Sequence, residues 1–213
     1  MPGRPEIERR ARALVSQTFR GKSSDPGRTP TCILTMGVQG AGKSTAIRRR
    51  APASYVRIDP DEVLNNLLRH GALPDGGEVF GLSDEWTERL VRHAIRHRYD
   101  FVLDSAMPSM RIARQLKAQG YNVEVLLVTA RRPIAREREV QRDMRRGWGR
   151  PGVRVEGQIR TRDRIAREGP ALASKYADTV TVCDNSGAVM QCSKKCSKSP
   201  RQFLRKHKAL FSM

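Results

Sequence analysis

The octet Gly37-x-x-x-x-Gly42-Lys43-Ser44 constrains this chain more than any other feature, because the pattern has a physical use in one setting only. Its glycines let successive backbone N–H groups converge on a β-phosphate. The lysine then reaches the β and γ oxygens, and the serine hydroxyl can ligate magnesium. That geometry needs a strand before the loop and a helix after it. Both are legible: Thr31 to Met36 is a short apolar run with β-branched residues, and Ser44 onward opens a helix that Pro52 ends. The segment therefore predicts a Walker A phosphate loop for ATP with Mg2+. Gly37, Val38, Gln39, Gly40, Ala41, Gly42, Lys43, Ser44 and Thr45 are its nucleotide-binding residues, Lys43 also acts in catalysis, and Ser44 holds the metal.

The rest of the chain alternates in the same way. Glu6 to Phe19 reads as an amphipathic helix, and Gly21 to Pro30 as a loop. Tyr55 to Ile58 is a second strand ending at Asp59-Pro60-Asp61, and Glu62 to His70 has helical periodicity that stops at Gly71. Ser83 is the expected N-cap of a helix whose Trp86, Leu90, Val91 and Ala94 share one face, with Asp84 and Glu85 at its positive end. Phe101 to Leu103 is a third strand ending at Asp104. Ile112 and Leu116 mark a helix closing near Gly120, and Val123 to Val128 is apolar enough to be a strand buried on both faces. Pro133 to Met144 and Val155 to Lys175 look helical around a loop from Gly147 to Gly152. Thr179 to Cys183 is the last expected strand. The expected fold class is α/β, a P-loop NTPase or kinase fold with a parallel sheet of about five strands and helices on both faces. One domain over residues 31–187 would be flanked by a helix and loop (1–30) and a basic tail (188–213).

In an open α/β sheet the ligand crevice lies beyond the carboxyl ends of the strands, where Asp59, Asp61 and Asp104 are all predicted to emerge. Phosphoryl transfer needs an in-line acceptor, neutralised phosphate oxygens and a group to take the acceptor's proton. Asp61 is the candidate general base, and Asp59 and Asp104 are candidate substrate-binding residues. For Asp59 and Asp61 the competing explanation is helix capping, and sequence logic weighs the two evenly. The segment Arg131 to Arg154 is dense in arginine. Arg138, Arg142 and Arg145 or Arg146 recur at helical spacing, and Arg150 follows in a Gly-Trp-Gly-Arg-Pro loop. One to three of these guanidinium groups are expected to clamp phosphates, while the others form a solvated basic face.

Composition enters where it excludes classes. No apolar run approaches the ~20 residues of a membrane span, and the N-terminus lacks an apolar signal core. A soluble, cytoplasmic protein is expected, with no membrane partner. Cys32 and Cys183 fall inside expected strands, while Cys192 and Cys196 sit in a basic tail. With no metal-ligand spacing, all are read as buried hydrophobes or surface thiols and given no site. The formal charge of +19, from 41 Lys and Arg against 22 Asp and Glu, attracts anions without choosing among them. The lysines and arginines from Lys194 to Lys208 read as a solvated tail, with nucleic acid the competing partner for it.

From about Thr31 to Gly187 the chain resembles the zeta-toxin family of P-loop kinases. The residues that carry the likeness are Gly37-Val38-Gln39-Gly40-Ala41-Gly42-Lys43-Ser44-Thr45, Ile58-Asp59-Pro60-Asp61-Glu62 and Tyr99-Asp100-Phe101-Val102-Leu103-Asp104-Ser105. Gly120-Tyr121-Asn122-Val123-Glu124-Val125 and Tyr176-Ala177-Asp178-Thr179-Val180-Thr181-Val182 extend it. The resemblance implies transfer of the ATP γ-phosphate to the 3'-hydroxyl of UDP-N-acetylglucosamine. By the same likeness Asp61 is the base, Asp104 contacts the sugar, and Arg142 and Arg150 contact phosphate. An antitoxin partner is implied as well. Two other functions stay open on the residues themselves: a kinase acting on polynucleotide 5'-hydroxyls or other hydroxyls, suggested by the charge and the arginines, and a non-catalytic nucleotide-binding switch.

Overall fold

The computed structural model describes residues 4–69, 76–145 and 153–196, and within these the side chains of 4–8, 11, 67–69, 76–81, 143, 145, 153–158 and 194–196 are outside it. The elements run α1 (Arg4–Phe19), β1 (Thr31–Met36), α2 (Lys43–Arg50), β2 (Val56–Ile58), α3 (Pro60–Arg69) and α4 (Gly76–Arg96). After them come β3 (Phe101–Leu103), α5 (Met110–Ala118), β4 (Asn122–Thr129), α6 (Arg132–Arg145), α7 (Val153–Tyr176), β5 (Thr179–Asp184) and β6 (Gln191–Cys196). The strand order is β2-β3-β1-β4-β5-β6; the first five strands are parallel and β6 is antiparallel. This is the doubly wound α/β arrangement expected of the sequence. Because β1 lies between β3 and β4, the chain leaves β1 at the point where the winding reverses, which is where open α/β sheets bind ligands.

Alternation along the strands explains how both faces are filled. Leu34 and Met36 of β1 and Val123, Val125 and Leu127 of β4 join one core, with Trp86, Leu90 and Val91 of α4, Leu116 of α5 and Leu172 of α7. Ile33 of β1 and Leu126 and Val128 of β4 point the other way, against Ala46 and Ile47 of α2. A strand buried on both faces must read as a continuous apolar run, and β4 does. The apolar end of α1 adds Leu14 and Phe19 to the first core, with the Phe19 ring 4.9 Å from that of Tyr99.

Three expectations are corrected. Ser83 is no N-cap: α4 begins seven residues earlier, and the Ser83 hydroxyl, buried inside the helix, donates to the Pro60 carbonyl at 3.0 Å. The chain does not turn into a plain polar tail after β5. Residues 191–196, too rich in lysine to look like a strand, pair antiparallel with β5 at the edge of the sheet. Cys183 and Cys192 are not separate thiols but a disulfide, because β6 returns in a register that sets them opposite each other. Cys32 is buried and free, as expected. Among the described residues no helix is long and apolar enough to cross a membrane. The Gly147–Gly152 loop, the helix stop at Gly71 and the tail beyond residue 196 lie outside the described residues.

Candidate active site

Two strand ends and the loop after a third meet beyond the carboxyl edge of the sheet. The β2–β3 register pairs Ile58 with Leu103, so the next residues, Asp59 and Asp104, stand side by side. The Asp104 N–H donates to the Ile58 carbonyl at 2.8 Å, which fixes that juxtaposition through the backbone. On the neighbouring strand, the Gly37 N–H donates to the Ala106 carbonyl at 2.9 Å, tying the start of the phosphate loop to the turn after β3.

The loop keeps its shape because only glycine suits two of its positions. Gly40 and Gly42 have φ of 77° and 97°, in the left-handed region. A Cβ at Gly40 would stand 2.0 Å from the Ala135 carbonyl of α6, and one at Gly42 would stand 2.2 Å from the Asn185 side-chain nitrogen. The loop is thus gripped from outside. Asn185 donates from its amide to the Ala41 carbonyl at 3.0 Å, and its own backbone carbonyl accepts from Arg138 at 3.1 Å. No side chain caps α2 at Gly42, so the first N–H groups of that helix are left for an anion. Val38 and Ala41 pack inward against the core, and their contribution to any ligand is limited to backbone.

Lys43 folds back over the loop, donating from Nζ to the Gly37 and Val38 carbonyls at 2.8 and 3.3 Å. Burial pushes its ammonium below the usual lysine range. Asp104, Asp61 and Asp59 oppose that shift, whereas the Arg142 guanidinium adds to it. Asp59 does two jobs. Its Oδ1 accepts the Asp61 N–H at 2.9 Å, which is the capping role, and its Oδ2 accepts from Arg57 at 2.9 Å. Burial, and next the neighbouring Asp104 carboxylate, push Asp59 up to about 6 in spite of Arg57. Asp104, buried at the tip of β3, accepts from Arg57 Nη2 at 2.6 Å. Asp61, in the first turn of α3, lines the same cleft.

Together these groups bound a cleft of about 600 Å³ that also takes in Ser105, Arg138 and Arg142. The glycines Gly40 and Gly42, with Gln39, Lys43, Ser44 and Thr45, line it opposite Asp59, Asp61 and Asp104, so the structure brings most of the sequence-expected residues to one place. Arg150 and Arg146 lie outside the described residues, as does the side chain of Arg145. Arg57 is the residue that the sequence expectations omit. Its Nη2 also donates to the Ser44 hydroxyl at 3.2 Å, so it touches three segments at once. A signal was there: Arg57 is a lone charge between two buried strand residues, and the two-residue period of a strand puts it on the face of Asp59.

A phosphate loop at the switch point of a parallel sheet, with acids at adjacent strand tips and arginines on the helix across the cleft, defines a P-loop phosphotransferase. The sequence profile of the Zeta toxin family matches residues 16–195, and the chain belongs to that family of P-loop kinases. No curated protein sequence matches it. A solved structure from the PezAT chromosomal toxin–antitoxin system of Streptococcus pneumoniae superposes with a TM-score of 0.65 at 18% identity, over 89% of this chain and 81% of that one. The AvrRxo1-ORF1:ORF2 complex with ATP superposes with a TM-score of 0.51 at 12% identity, over 98% of this chain and 72% of the other. At such identities the likeness concerns the fold.

Proposed function

We propose that this chain is an ATP- and Mg2+-dependent kinase that transfers the γ-phosphate to a hydroxyl of a UDP-sugar such as UDP-N-acetylglucosamine. The observation that carries this reading is the single cleft in which the loop glycines and Lys43 face Asp61 and Asp104. Family membership supports it, as does the solved AvrRxo1 relative with ATP. The resemblance of the Asp59 to Asp61 and Asp104 segments to those of zeta-toxin kinases points to the sugar nucleotide.

The donor set fits the metal: Ser44 Oγ, Asp59 Oδ2 and Asp104 Oδ2 are hard oxygens that converge on one point, now taken by a guanidinium nitrogen. Ser44, Asp59 and Asp104 would hold Mg2+, which would supply positive charge to neutralise the phosphate oxygens. The loop N–H groups bind the β-phosphate, and the Lys43 ammonium leaves its two loop carbonyls for the β and γ oxygens. Asp61 takes the proton of the attacking hydroxyl as the new O–P bond forms. The bond from the γ-phosphorus to the β–γ bridging oxygen breaks, leaving ADP. Asp104, with its Oδ1 3.4 Å from the Thr35 hydroxyl, orients the acceptor, and Arg142, with Arg138 beside it, balances charge on the transferring group. Arg150 remains assigned to phosphate by resemblance alone. The antitoxin of the solved PezAT relative makes a neutralising partner part of the same reading.

The test is transfer of labelled γ-phosphate to UDP-N-acetylglucosamine, with Lys43→Ala and Asp61→Asn as controls. A labelled sugar nucleotide, lost in both variants, is the expected result. ATP binding without that product, and label appearing on an oligonucleotide instead, would replace the acceptor. Binding without any transfer would leave only the switch.

A further inference from the structure

Arg57 does not behave like a solvent-seeking edge-strand charge. It lies between two fully buried residues, Val56 and Ile58, and only about a third of its side chain is exposed (33%). A single atom, Nη2, stands 2.6 Å from Asp104 Oδ2, 2.9 Å from Asp59 Oδ2 and 3.2 Å from Ser44 Oγ. Those three oxygens come from β3's tip, β2's tip and the phosphate loop, and they are the set assigned above to the metal. Two carboxylates held side by side by the backbone register need a positive charge between them, and the chain supplies one. A guanidinium and a divalent cation cannot both occupy that point, since like charges at contact distance repel each other.

The side chain also has somewhere to go. Its Nη1 is 3.8 Å from Oε1 of Glu62, a residue whose side chain is 65% exposed on the first turn of α3. Arg57 and Glu62 line, besides the main cleft, a second cavity of about 550 Å³ beneath α1, where Gln17 and Asn65 add polar groups. Space, polar surroundings and a receiving carboxylate all lie on the outer side of β2.

We infer that Arg57 is the resident cation of the metal seat, occupying it in the free protein and swinging out to Glu62 when a divalent cation enters. Arg57 then sets metal affinity and keeps Asp59 and Asp104 compatible while the cleft is empty of nucleotide. It is a positioning residue acting through those carboxylates, and the inference rests on Ser44, Asp59 and Asp104 facing the metal of the proposed kinase.

The experiment is a Mn2+ titration of the full chain, read by electron paramagnetic resonance of free Mn2+, with neither nucleotide nor acceptor present. Arg57→Gln should bind Mn2+ at least about tenfold more tightly than the native chain, because the competing charge is gone. Its melting temperature should rise with added MgCl2 more than that of the native chain. Adding Asp104→Asn to that variant should abolish the gain, which locates the ion. Equal Mn2+ affinity in the native chain and Arg57→Gln, or a gain that survives Asp104→Asn, would overturn the inference. Should Arg57→Gln not fold, Glu62→Gln in the otherwise native chain decides. Loss of the receiving carboxylate should weaken Mn2+ binding about threefold, as for a partly exposed ion pair, and unchanged affinity would overturn the inference. Failure of the UDP-sugar assay would leave this readout untouched, since neither substrate is used.

Discussion

The phosphate loop and the acidic strand tips face each other across one cleft and are held in place by opposite means. The loop is a contiguous stretch whose function lies in its backbone. Gly40 and Gly42 adopt left-handed φ, and α6 and Asn185 press on the places where a Cβ would be. The acidic side comes from two segments far apart in sequence whose function lies in side-chain charge: Asp59 with Asp61, joined by a local hydrogen bond, and Asp104, held to Asp59 by strand register and by Arg57. Shape fails when a methyl group is added. Charge fails when an oxygen is replaced by nitrogen, with the fold left standing.

The largest expected effects test the chemistry on each side. Lys43→Ala should lower phosphoryl transfer by about a thousandfold or more, with little change in melting temperature, because its hydrogen bonds to the loop carbonyls are replaceable by water. Asp61→Asn should cost about 10²–10⁴ in kcat while calorimetry finds nucleotide affinity unchanged, as befits loss of a proton acceptor. A variant that loses nucleotide binding instead would put Asp61 on the loop's side of the comparison.

Next comes a methyl group on the loop. Gly40→Ala must relieve a 2.0 Å approach to backbone and a strained φ at once. It should cost about 2–4 kcal/mol in denaturant unfolding, along with nucleotide affinity. If stability holds and only affinity falls, the loop moves more freely against α6 than its contacts indicate.

The smallest effect belongs to the acidic side and depends on pH. The Asp59 pKa is about 6 in the folded chain against an ordinary 3.8, so the folded state holds that proton more tightly than the unfolded state does. Stability therefore falls as pH rises from about 4 to 6 and the cost is complete above 6. Asp59→Asn keeps a cap acceptor for the Asp61 N–H and removes the cost. It should be more stable than the native chain by about 1–3 kcal/mol at pH 7.5, with no advantage at pH 4, in paired unfolding curves. An advantage of equal size at both pH values would show that ionisation of Asp59 is not its source.

Much of this was legible in advance because it is written locally. The octet, the strand before it and the helix after it follow from neighbours in sequence, and β1 spans the expected Thr31–Met36. Asp59, Asp61 and Asp104 follow from the rule that ligands bind beyond strand ends, and the structure places all three on one cleft. What stayed hidden depended on which segments became neighbours. The lysine-rich β6 has no strand pattern of its own and exists through pairing with β5, and the Cys183–Cys192 disulfide follows from that pairing. Ser83 looked like a cap because a cap needs only a local motif, whereas its place inside α4 was set by packing against Pro60. Asp59 was undecided between capping and substrate, and the structure gives its two oxygens separate partners.

The sequence by itself determined that this chain folds around a phosphate loop, because glycine conformations and hydrophobic periodicity act over a few residues, and its likeness to the zeta-toxin family placed it with the P-loop kinases. Only the tertiary structure decided that Arg57 lies between Ser44, Asp59 and Asp104 and that Asn185 and α6 brace the loop. Such contacts join residues up to 144 positions apart, and a charge has no partner until the sheet register supplies one.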